Sequence, residues 1–108
     1  MRDTRDITLI QSTIYHGHIV FARSDESFFP HDALGDRGRK GARGVPVYFS
    51  ARESTIETDI RIMSGVRLSP RTSFMPYLKA VRARAGDLLH ITRIGDREYL
   101  VEYVRCVF

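Results

Sequence analysis

The chain is 108 residues long, carries 17 Lys+Arg against 13 Asp+Glu for a formal net charge of +4, and has one cysteine and no tryptophan. That length holds one domain with a modest core and not two. Lone Cys106 excludes an internal disulfide and a cysteine metal cluster, and no apolar run approaches the roughly 20 residues a membrane span needs.

The opening MRDTRDITLI has no signal-peptide pattern, so a cytoplasmic place and no membrane partner are expected; residues 1–8 read as a loose, polar lead-in. From Leu9 to Arg23 the run is β-rich. Ile14, His16, His18, Val20 and Ala22 share one face, which predicts a strand over 14–22. Arg23-Ser24-Asp25-Glu26-Ser27 breaks the apolar pattern. In the following FFPHDALG, Pro30 suits the first position of a short helix and Gly35 its C-terminal cap.

Residues 36–44 are polar, glycine-rich and strongly basic, without periodicity: a loop. Val45, Val47 and Phe49 then alternate with polar positions in a strand, at a sheet edge on account of Pro46. Ala51 to Ser54 make a turn. Ile56, Thr58, Ile60 and Ile62 alternate with Glu57, Asp59 and Arg61 in a further strand. Phe74, Leu78 and Val81 recur at helical spacing, Ser73 is a candidate N-cap, and Lys79, Arg82 and Arg84 take the opposite side. Gly86-Asp87 leads into a strand over 88–94, and Gly95-Asp96 turns it into a last strand over 98–107. Short strands, tight turns and partly apolar faces predict a small barrel or closed sheet with helices at its ends. Phe29, Leu34, Val47, Ile60, Phe74, Leu78, Leu89, Ile91 and Val101 are the expected core.

Catalytic constellations are poorly supported. His16 and His18 have a spacing that can bind a metal, but His31 and His90 stand in other contexts and no carboxylate cluster accompanies them. Glu53, Glu57 and Asp59 are the carboxylates a small Mg²⁺-dependent nuclease would use, yet neither Lys40 nor Lys79 is placed beside them. A solvated strand face with Arg61 as ion-pair partner is the plainer account. The glycine-rich loop lacks the GK[ST] of a phosphate-binding loop. No catalytic residue, metal or cofactor is assigned.

The basic residues are more informative, since all but Lys40 and Lys79 are arginine. Arginine presents a planar fork that pairs with phosphate and with guanine edges. Many fall in predicted loops, mixed with Ser24, Asp25, Glu26, Ser64, Ser69 and Thr72, a mixture of donors and acceptors suited to reading base edges. For any single arginine, a plain solvated loop is the competing reading.

FFPHDAL (28–34), VPVYFS with STIETDIRI (45–62) and SFMPYLKAVRARAGDLLHITR (73–93) resemble, in their order, the DNA-binding pseudobarrel superfamily: the B3-like domains of plant transcription factors and the effector domains of certain type II restriction endonucleases. The resemblance covers about residues 14–105. The missing tryptophans and the Gly/Arg insertion depart from the plant pattern, so the restriction-enzyme branch is the nearer one.

It implies a mainly β, B3-like pseudobarrel of about seven strands and two short helices. It also implies a non-catalytic, sequence-specific domain that grips double-stranded DNA between two jaws, alone or beside a nuclease domain or subunit, and monomeric. One jaw falls on Arg23, Ser24, Asp25, Glu26 and Ser27. The other falls on Arg61, Met63, Ser64, Arg67, Ser69, Arg71 and Thr72. Arg37, Arg39, Lys40 and Arg43 are assigned to backbone phosphates on charge alone. A small nuclease, or an RNA- or protein-binding β-barrel, are the alternatives.

Overall fold

Alternation with period two dominates the second half of the chain, and those runs become the strands of the larger sheet. The computed structural model describes residues 3–34, 44–62, 66–68 and 73–106; strand accounts for 41% of them and helix for 24%, so the fold is mainly β. The eight strands among the described residues are β1 (Thr4–Thr8), β2 (Val20–Phe21), β3 (Val47–Ala51), β4 (Ser54–Thr58), β5 (Ile60–Ile62), β6 (Val66–Leu68), β7 (Leu88–Arg93) and β8 (Glu98–Val104). Two α-helices, α1 (Gln11–His16) and α2 (Met75–Ala80), and two 3-10 segments, Arg23–Phe28 and His31–Ala33, complete them. The strands form one sheet in the order β1-β7-β8-β3-β4 and a smaller one in the order β2-β6-β5. Both are open, so the expected barrel does not close; it is a pseudobarrel only in the loose sense of two sheets enclosing one core.

That core is aromatic. Phe28, Phe29, Phe49, Phe74 and Tyr99 are all buried, with Tyr99 stacked on Phe49 at 5.0 Å and edge-on to Phe28 at 5.1 Å. Offset and edge-to-face pairs of this kind add about 0.5–1.5 kcal/mol each beyond the area they bury. The Tyr99 hydroxyl, enclosed with the rings, donates to the Phe28 carbonyl at 2.7 Å, and burial pushes its pKa up to about 12. The expected core residues are all buried except Leu34, which is half-buried.

Several expectations fail, each for a local reason. The lead-in is a strand: Thr4 to Thr8 pair antiparallel with Thr92 to Leu88, because the free edge of β7 offers backbone partners that polar side chains do not forbid. The strand expected over 14–22 is α1 followed by a turn. Gly17 takes a left-handed φ of +72°, and its N–H closes the helix on the Thr13 carbonyl at 2.7 Å. A Cβ there would come within 2.7 Å of the Met75 amide nitrogen, so glycine is also what lets α2 approach. Only Val20 and Phe21 remain as strand. The break at 23–27 is a 3-10 segment. Gly35, the expected cap of the short helix, lies outside the described residues; Leu34 takes that place after His31–Ala33.

β3 is interior, paired with β4 on one side and in parallel with β8 on the other. Pro46 is no obstacle because it precedes the first ladder residue. The run 56–62 is not one strand but two. It breaks at Asp59, where the chain leaves the large sheet at Thr58 and enters the small one at Ile60. Asp59 and Arg61 are 6% and 4% exposed, so the face expected to be solvated stays exposed at Glu57 and folds inward beyond it. The ion pair expected of Arg61 is present, with Nε 3.0 Å from Asp59 Oδ2. The same carboxylate oxygen accepts from the Gly44 amide at 3.1 Å.

α2 begins as expected: Ser73 Oγ accepts from the Met75 amide at 3.1 Å, Pro76 sits in the first turn, and Tyr77 and Leu78 face the core. It stops at Ala80, earlier than the basic side would suggest. The Arg82 amide bonds to the Lys79 carbonyl and the Ala83 amide to the Leu78 carbonyl, with Arg82 at φ +56°. This is the Schellman ending of a helix.

Candidate nucleic-acid interface

The segment expected to form the first jaw is held at the end of the large sheet where β7 turns into β8. Arg93 Nη1 and the Tyr99 hydroxyl both donate to the Phe28 carbonyl, tying the end of the 3-10 segment to β7 and β8. Within it Arg23, Ser24 and Ser27 are exposed, and the Arg23 side chain makes no ion pair or hydrogen bond among the described residues. Ser24, Glu26 and Ser27 line a groove of about 380 Å³ with Phe29, His31 and Leu34. Asp25 does not join them. Its Oδ1 accepts from Arg5 Nε at 2.7 Å, an ion pair that anchors the segment to β1. The carboxylate assigned to a base edge is already occupied.

The residues expected to form the second jaw divide. Met63, Ser64, Ser69, Arg71 and Thr72 lie outside the described residues, as do Arg37, Arg39, Lys40 and Arg43 of the basic loop. Arg61 is buried against Asp59 and does not face solvent, which removes it from the base-reading set. Arg67 fares differently. On β6 it stands opposite Val20 of β2 and opposite Arg61 of β5. It is half-buried, and its Nε is enclosed with no acceptor among the described residues. A buried donor left in that state costs about 1–3 kcal/mol, and two like charges directly opposite on paired strands add to the cost. The β2–β6 pairing thus brings Arg67 next to the strand that runs into Arg23.

At the other end of the large sheet a second basic region was not anticipated as a site. Arg52, in the turn between β3 and β4, donates through Nη1 to the Ala80 carbonyl at 3.3 Å. Arg105, just after β8, donates through Nη2 to the Val81 carbonyl at 3.4 Å. Two arginine heads therefore converge on adjacent carbonyls closing α2, where Lys79, Arg82 and Arg84 are also exposed. Arg52 and Arg82, at φ +58° and +56°, are the two non-glycine residues with left-handed backbone among those described. Such a conformation costs a residue with a Cβ about 1–2 kcal/mol, and glycine or asparagine is the usual occupant of both positions. The two-residue spacing between the alternating runs ending at Ala51 and beginning at Ser54 is the signal that marks Arg52. Arg82 has no signal of that kind, because no glycine marks the end of the helix.

Neighbouring carboxylates differ in state. Asp87 is buried, and bonds from the Tyr103 hydroxyl and the Cys106 amide hold its carboxyl below the usual range. Glu53 and Glu102 are exposed. A groove of about 520 Å³ between the Arg52 turn and α2 is floored by Tyr77, whose phenol burial pushes up.

The carboxylates weighed for a nuclease do not converge among the described residues. Asp59 turns inward to Arg61 and Gly44, while Glu53 and Glu57 are exposed on the turn and on β4. His16 and His18 stack at 6.0 Å across Gly17 rather than along a strand, and no group of three potential metal ligands occurs among the described residues. No helix among the described residues is long and apolar enough to cross a membrane. No protein-family model matches the chain, and none of the curated proteins matches it.

Proposed function

We propose that the chain binds double-stranded DNA in a sequence-dependent way, as a non-catalytic, B3-like recognition module that acts alone or beside a nuclease domain or subunit. One observation carries the reading: the pairing of β2 with β6 sets half-buried Arg67 beside the segment bearing exposed Arg23. Arg67 Nε has no acceptor among the described residues, and an acceptor on a base edge or phosphate would relieve it. Ser24 and Ser27 supply further donors, and Glu26 an acceptor, around one groove, and exposed Arg23 precedes them on the same segment. Among the described residues of the two expected jaws, Asp25 and Arg61 drop out of the set, because their ion pairs hold the fold instead.

The test begins by selecting bound duplexes from a randomised pool. Arg23→Ala and Arg67→Ala are then compared on the selected duplex and on a scrambled one at one salt concentration. Each should lose about 1–3 kcal/mol on the selected duplex and less on the scrambled one. Equal losses on both would reduce these residues to backbone contacts, and a tighter hold on single-stranded or duplex RNA would replace the DNA reading.

A further inference from the structure

We infer that the basic pole closing α2, made by Arg52, Lys79, Arg82, Arg84 and Arg105, is a second nucleic-acid surface that holds backbone phosphates. It shares its ligand with the proposed function but none of its residues, so the two fail separately. Three observations carry it. The cations come from three separate stretches of chain, and Arg52 and Arg105 are brought together by bonds to the adjacent Ala80 and Val81 carbonyls. The carboxylates around them offset them only in part: Asp87 is buried, bound by Tyr103 and Cys106 and 4.0 Å from Arg84 Nε, and exposed Glu53 and Glu102 stand beside the other four cations.

The third observation is the backbone. Arginine occupies two left-handed positions that the fold would fill better with glycine, and both are at this pole. A side chain kept against local conformational preference points to a use outside the fold. Clustered guanidinium forks with few carboxylates suit phosphate oxygens. The pole lies at the Leu88–Val104 end of the β7–β8 pair, whereas Arg93 and Tyr99, at the other end, hold the first jaw. A duplex held by the jaws therefore leaves the pole available to another stretch of backbone.

The probe is a fluorescent mixed-sequence DNA duplex of about 20 base pairs, titrated over a salt series of about 50–200 mM. In Arg52→Gly/Arg82→Gly, log K should fall less steeply with log salt, by about 0.9 for each of two lost phosphate contacts, with the thermal midpoint unchanged or raised. Lys79→Gln/Arg84→Gln, which leaves the left-handed positions alone, should also flatten the slope. The Arg23→Ala/Arg67→Ala protein should keep the part that the pole variants remove.

An unchanged slope in both pole variants overturns the inference. So does loss of binding to anionic phospholipid vesicles in those variants while duplex binding stays intact, which would make the pole a membrane-facing surface. Wild-type protein that binds no duplex overturns both this inference and the proposed function. Loss confined to the pole variants overturns the jaw reading alone.

Discussion

The two ends of the five-stranded sheet use arginine in opposite ways. Where β7 turns into β8, the side chains point back into the protein. Arg93 donates to the carbonyls of Phe28, Gly95 and Asp96, and Arg97 to those of Val45 and Pro46 and to the Asp32 carboxylate. Arg5 holds Asp25, and Arg61 lies buried on Asp59. At the α2 end Arg52, Arg82, Arg84 and Arg105 remain exposed. The same fork closes loops at one end and stays accessible at the other. What separates the cases is how many acceptors each guanidinium meets: several carbonyls and a carboxylate converge on Arg93 and Arg97, while Arg52 and Arg105 each meet one carbonyl at the end of α2.

The largest way to break this comparison is Arg61→Ala. Removing one member of a buried ion pair leaves the other charge uncompensated, and a loss of about 3–5 kcal/mol in denaturant unfolding is expected. A loss below 1 kcal/mol would mean that the pair is not buried in solution. Alkali should come next, acting through Tyr99. Its folded pKa of about 12 stands above the ordinary 10, so its stabilising contribution is complete below pH 10 and is lost as pH rises toward 12. Up to about 3 kcal/mol should disappear across that window. Tyr99→Phe should shrink the loss across that window, leaving the part that Tyr77 contributes, while costing about 1 kcal/mol at neutral pH for the bond to Phe28.

Smaller effects sharpen the contrast. Arg97→Ala removes bonds that hold the chain entering β3, and about 1–2 kcal/mol should go with them. At the opposite end the sign reverses. Arg82→Gly should leave stability unchanged or raise it by up to about 1 kcal/mol, because glycine relieves the left-handed strain and gives back part of the gain through its freer unfolded chain. Arg84→Ala should stay within about 0.5 kcal/mol. A clear loss in either pole variant would mean that these arginines serve the fold as their counterparts do.

The mainly β character, the α2–turn–β7 unit and most of the core were legible in the chain, because period-two and helical spacing record which side chains are buried. Phe74, Leu78, Leu89, Ile91 and Val101 are where that spacing puts them. Polarity misled where burial was decided by partners distant in sequence. Thr4–Thr8 looks like a lead-in until β7 offers its edge, and Asp59-Ile60-Arg61 looks like a solvated strand until the chain changes sheets there. Local pattern cannot report such a corner, since an aspartate and an arginine two apart alternate whether they face water or each other. The candidate site divides in the same way. Sequence alone pointed to arginine as the candidate chemistry and to Arg23 and Arg67 as candidate members. Only tertiary structure decided that Asp25 and Arg61 are structural and that Arg52 and Arg105 meet at the end of α2, because the acceptors a guanidinium meets are brought to it by chain segments distant in sequence.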